Sequence, residues 1–140
     1  MKAKYPLKAR NATGQHRDVK NIHGTKVYTA LLTQTSTNAP VATVLENSLG
    51  ATVTWTRSSA GQYVATCTGA FTSGKTLVFI GTIINNSIED DHIRFVNASW
   101  ASADAVNVHT MKLEGASDPS VGSFEDGYLD NTSLQILVYP

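Results

Sequence analysis

The chain of 140 residues holds a single cysteine, Cys67. One cysteine excludes an intrachain disulfide and any cysteine-based zinc cluster. No apolar run reaches the roughly 20 residues that a membrane helix needs, so no membrane partner is expected. The basic N-terminus is not followed by the continuous apolar stretch of a secretory signal. Charged residues are scarce at 16%. Helical patterning is nearly missing too: no window of 11 or more residues sets apolar side chains at helical spacing between a cap and a stop.

Recognisable reaction chemistry is equally thin. There is no Gly-x-Ser-x-Gly elbow to anchor a hydrolase triad and no phosphate-binding glycine loop. His16, His23, His92 and His109 show no paired zinc spacing. Glu89, Asp90 and Asp91 beside His92, and Glu125, Asp126 and Asp130, supply hard oxygens for calcium, but without the alternate spacing and glycine of a dedicated calcium loop. Solvated turns are the simpler reading of both groups. Cys67 falls on an inward strand position beside Ala65, where a buried, inert thiol is expected. The chain is therefore expected to be no enzyme, to hold no cofactor and to ligate no metal.

What the chain does have is Thr, Ser and Asn in place of charge, a mixture suited to pleated sheets with hydroxylated outer faces. Short strand-like runs recur at 26–34, 42–46, 51–57, 62–68, 75–84, 93–99, 105–113 and 134–139, punctuated by Gly, Asn, Ser and Pro. Their spacing predicts an all-β fold, an antiparallel β-sandwich of jelly-roll or Ig-like type. In one hairpin Ala51, Val53 and Trp55 alternate with Thr52, Thr54 and Thr56, and Tyr63, Ala65 and Cys67 with Gln62, Val64 and Thr66. A three-residue loop of Ser58, Ser59 and Ala60, with Gly61 left-handed, sets Trp55 opposite Tyr63 and Val53 opposite Ala65. Residues 75–84 (KTLVFIGTII) are apolar on both faces, which predicts a strand central in its sheet or buried against another chain, with Gly81 marking a bulge. Residues 134–139 read as the closing strand. Residues 114–133 form a long Gly/Ser/Asp-rich connection of the kind that functions or partners shape.

The formal net charge is zero but unevenly spread. Lys2, Lys4, Lys8, Arg10, Arg17, Lys20 and Lys26 face only Asp18 in residues 1–26, a net of +6 that leaves −6 for the rest. That split predicts an extended basic arm (1–26) on a sandwich domain (27–140). Lys2, Lys4, Lys8, Arg10, Arg17 and Lys20 are the candidate partner-binding residues, docking on an acidic neighbouring subunit. No nucleic-acid partner is expected, because Tyr5 alone makes no stacking platform. Trp100 and Tyr128 are the candidate surface contacts.

The stretches 27–40 (VYTALLTQTSTNAP), 44–50 (VLENSLG) and 54–57 (TWTR) resemble a segment of small structural proteins of tailed bacteriophages, those that decorate capsids or build head and tail fibres. The resemblance spans residues 27–71, about a third of the chain. It implies a virion location, capsid or tail subunits as partners, no enzymatic site, and a homo-oligomer, with a trimer expected by analogy. A basic arm fits gripping an acidic shell, and many identical weak contacts multiply through avidity. The alternative is a carbohydrate- or receptor-binding β-sandwich module using Trp100, Tyr128 and the acidic loops.

Overall fold

The computed structural model describes residues 24–82, 93–113 and 122–140. The basic arm, with Lys2, Lys4, Lys8, Arg10, Arg17 and Lys20, lies outside the described residues, as do Glu89, Asp90, Asp91 and His92. The described chain is all β: β1 (Lys26–Thr33), β2 (Val41–Asn47), β3 (Thr54–Ser59), β4 (Gln62–Thr66), β5 (Thr76–Ile80), β6 (Ile93–Ser102), β7 (Ala105–Leu113), β8 (Gly122–Phe124) and β9 (Thr132–Val138).

These strands form two antiparallel sheets, one ordered β2-β1-β9-β5, the other β3-β4-β7-β6 with β8 continuing beside β7. Alternation decides which side chains meet between the sheets. On β1, Tyr28, Ala30 and Leu32 point inward, and on β9 Leu134, Ile136 and Val138 do the same. The opposite sheet contributes Tyr63 and Ala65 from β4 and Val106 and Val108 from β7. Together with Phe71, Leu129 and Leu49 they make one core, the arrangement of a β-sandwich. Near its edge the Trp55 indole N–H donates to the Tyr28 hydroxyl across the two sheets at 3.3 Å. Burial accordingly raises the Tyr28 hydroxyl above its ordinary pKa.

Three expectations need correction. The β3–β4 hairpin pairs Trp55 with Ala65 and Arg57 with Tyr63, two residues away from the predicted register. Trp55 and Tyr63 still share the inward face, because a shift of two preserves the pleat. The turn is two residues, Ala60 and Gly61, and the slack is taken by a bulge at Ser58, whose hydroxyl donates to the Gln62 carbonyl at 3.1 Å. Gly61 does adopt the left-handed conformation, with φ 59°. Second, among the described strands β5 is not central: it ends the first sheet and pairs on one side with β9. Third, Gly81 is no bulge. The β5–β9 register runs without a shift, and Gly81 follows the strand where a Cβ would lie 2.4 Å from the Ser133 hydroxyl. The closing strand β9 sits in mid-sheet between β1 and β5.

Candidate functional site

Among the described residues, a concentration of polar chemistry closes one end of the sandwich. Arg57 reaches this end because the hairpin register places it on the inward face opposite Tyr63. Asp126 comes from the connection leading to β9 and meets it there. The Arg57 guanidinium grips the Asp126 carboxylate with two nitrogens, Nε at 3.1 Å and the terminal nitrogen at 2.7 Å. The same carboxylate accepts the Gly61 N–H at 3.0 Å and the Tyr63 hydroxyl at 2.8 Å. Four donors converge on one acid, so the ionised form is strongly favoured. The Arg57 hydrogen bond is the largest cause holding the Asp126 carboxyl down at about 2. Burial, with the neighbouring carboxylate, pushes the Tyr63 hydroxyl well above its ordinary range.

Gly61 is fixed by the same clasp. Its carbonyl accepts the Thr110 N–H at 2.8 Å, while Glu125 N–H donates to the Thr110 carbonyl at 3.2 Å. A Cβ on Gly61 would stand 2.4 Å from the Thr110 carbonyl oxygen and 2.5 Å from the Glu125 nitrogen. With φ also positive, Gly61→Ala is expected to cost more than about 1 kcal/mol. Denaturant unfolding should show it as a lower midpoint at unchanged m.

Glu125 anchors a second group one step away. Its carboxylate meets Lys112 Nζ at 3.1 Å and accepts hydrogen bonds from the Ser123 hydroxyl at 3.3 Å and from the Tyr128 hydroxyl. The Tyr128 bond leads the effects that lower the Glu125 carboxyl, and burial leads those that raise the Tyr128 hydroxyl. Arg94 of β6 stacks its guanidinium over the Tyr128 ring at 5.2 Å. Gln34, almost fully buried, accepts the Gly127 N–H and donates to the Asn38 carbonyl at 3.1 Å. The acids that sequence offered as calcium ligands are thus divided. Asp126 and Glu125 are engaged by cations and hydroxyls, and Asp130 accepts from the Asn131 side chain. Among the described residues no three His, Cys, Asp or Glu side chains come together to hold a metal ion.

The two candidate surface aromatics do not share a site. Tyr128 sits in this clasp, half-buried, near the end of β7 where Arg94 pairs with Lys112. Trp100 pairs with Val106 at the opposite end of the ladder. Its indole N–H donates to the Phe71 carbonyl at 3.0 Å, and 39% of the residue is exposed. Near that second end Lys26, Thr72, Lys75, Val138 and Tyr139 line an open cleft. The sequence places Lys26 in the arm and Lys75 at the start of a strand-like run, and only the β5–β9 register brings Lys75 beside Tyr139. Cys67 is buried as expected, and burial pushes its thiol upward, away from nucleophilic character.

The clasp therefore uses its charges on the protein itself. Arg57, Gly61 and Tyr63 from the hairpin, Lys112 and Thr110 from β7, and Gln34 after β1 all close on residues 125–128, so the long connection is tied to both sheets. No protein-family model matches this chain, and neither the curated proteins nor the solved structures contain a match.

Proposed function

We propose that the protein is a non-enzymatic structural component of a bacteriophage virion, a capsid-decorating, head-fibre or tail subunit that works by assembly. The observation that carries this reading is β5: a strand at a sheet edge whose outward side chains, Leu77 and Phe79, are 47% and 53% exposed while Val78 and Ile80 pack inward. An edge strand apolar on both faces is a liability for a lone soluble domain and an asset for one that meets copies or partners. The two ion pairs of the clasp support the same reading, because they join elements of the fold to one another.

In this proposal the sandwich is an abbreviated jelly roll. What supports that is the adjacency of the first and last long strands, β1 and β9, in mid-sheet, with crossings between sheets after β2, β4, β5 and β8. The arm grips an acidic shell through Lys2, Lys4, Lys8, Arg10, Arg17 and Lys20, supported by the +6 imbalance of residues 1–26. The protein resides in the virion as a homo-oligomer; the trimer that the resemblance suggests is a state of the assembled particle, not of the free chain. Deleting residues 1–20 should leave a folded sandwich that no longer joins virus particles. Incorporation at the normal level would contradict the anchoring arm.

The exposure of Trp100 favours one second reading, a glycan- or receptor-binding module. Glycan-array binding by the full chain that is lost in Trp100→Ala would establish it. Unchanged behaviour of that variant in both glycan and particle assays leaves assembly as the function.

A further inference from the structure

Among the described residues four strands end the two sheets, β2 and β5 in the first and β3 and β6 in the second; β8, beside β7, also has an open side but is only three residues long. An open edge offers unpaired N–H and C=O groups to any passing strand, and stable monomers blunt such edges with bulges, charges or proline. Three of these edges are blunted. β2 follows Pro40, carries Glu46 and is bulged opposite Thr29 and Ala30. β3 is bulged at Ser58 and carries Arg57. β6 carries Arg94 and breaks register between Trp100 and Ser102. β5 has none of these devices: its sequence is TLVFI, and it runs in unbroken register against β9.

The direction of its free hydrogen-bonding groups follows from two bonds. Gly81 N–H donates to the Ser133 carbonyl at 2.7 Å, and Tyr139 N–H to the Lys75 carbonyl at 2.9 Å. In an antiparallel ladder the bonded residues alternate, so Leu77 and Phe79 also bond to β9. Thr76, Val78 and Ile80 then present their N–H and C=O groups to the other side. Among the described residues no strand pairs there; β6 lies near β5 but shares no ladder with it.

Resting on the assembly reading above, we propose that the occupant of this edge is a second copy of the chain, paired antiparallel, β5 against β5, about a two-fold axis at Val78. Such a contact is isologous and self-complementary. Val78 meets the partner's Val78, and Thr76 meets the partner's Ile80, each pair exchanging both backbone bonds. Leu77 faces the partner's Phe79 in the closer, non-bonded pairing. On the outer face the apolar row Val27, Leu137 and Leu77, set side by side across β1, β9 and β5, then continues into the partner's Phe79. No charged residue of either strand meets another. A five-residue ladder is about 17 Å long. It buries well under the roughly 800 Å² per partner of a stable complex. The contact is therefore a dissociable dimer in solution and gains strength where copies are arrayed on a particle.

Sedimentation velocity of the full chain at rising concentration tests this, together with two kinds of variant. Val78→Pro removes an N–H that faces the free edge and leaves the β9 bonds intact, so the variant should fold and stay at 15.0 kDa while the parent approaches twice that mass. The second kind needs no perturbation of the strand backbone. A mixture of Leu77→Cys and Phe79→Cys proteins should form a disulfide-linked dimer on mild oxidation, and either protein alone should not, since native Cys67 is buried. A parent that remains monomeric, or a mixture that crosslinks no better than its components, overturns the pairing. An oligomer that survives Val78→Pro also overturns it but leaves the assembly reading standing. One that is lost on deleting residues 1–20 instead assigns the contact to the arm.

Discussion

Replacing Ile136 by alanine is expected to cost about 2–5 kcal/mol of stability, the range for emptying a well-packed core site. Ile136 is fully buried and lies at the middle of β9, with Tyr28 of β1 opposite it on one side and Val78 of β5 on the other. Its side chain fills the space between sheets at the point where three strands meet, and none of these neighbours can collapse inward without breaking its own ladder. The loss is large relative to the 5–15 kcal/mol total of an ordinary domain, so the variant should be partly unfolded at moderate temperature. Chemical denaturation followed by tryptophan fluorescence reads it directly, since Trp55 hydrogen-bonds to Tyr28. A change below about 0.5 kcal/mol, the scale of surface substitutions, would show that β9 is not the packed centre of the first sheet.

The second large effect is at Asp126. Asp126→Ala leaves the Tyr63 hydroxyl and the Gly61 N–H without their acceptor and the Arg57 guanidinium without its counter-charge. Stranding the two donors alone costs roughly 2–3 kcal/mol. Asp126→Asn retains an acceptor oxygen and should lose less. The two variants also separate charge from hydrogen bonding through pH. The Asp126 carboxyl is held at about 2 in the folded protein, against an ordinary 3.8. A lowered folded pKa means that the stabilisation is fully present above about pH 4 and disappears as pH falls toward 2. Glu125, also lowered, adds loss in acid. The parent should therefore lose stability across that acid window more steeply than Asp126→Asn. Equal pH dependence in the two proteins would mean that the Arg57–Asp126 pair contributes nothing to the fold.

The contrast between these two sites shows what sequence can and cannot carry. Alternation of large apolar and hydroxylated residues is a local pattern, and it made the inward faces of β3 and β4 legible. The set Tyr63, Ala65 and Cys67 is buried as read. Strand order is not local. A doubly apolar run such as 76–80 looks the same whether two strands of its own chain flank it or one does, so a central placement could not be told from an edge one. The hairpin register failed for a related reason. Arg57 reads as the last residue of a strand-like run, with no visible counter-charge until Asp126, 69 positions later, meets it. Glu125, Asp126 and Tyr128 read as solvated loop or surface for the same reason. The three residues of β8 left no signal at all, being Gly-Ser-Phe inside a Gly/Ser/Asp-rich stretch. A single Arg at an inward strand position asks for a carboxylate, and the long connection at 114–133 holds five, with nothing local to say which one answers.

The central claim is that this sandwich acts by meeting copies of itself, and its molar mass in solution tests that most directly. Light scattering should be run across a range of concentrations at low and high salt. Contact through an uncharged apolar strand predicts a mass that climbs above 15.0 kDa with concentration and changes little with salt. A mass fixed at 15.0 kDa under every condition would contradict self-assembly.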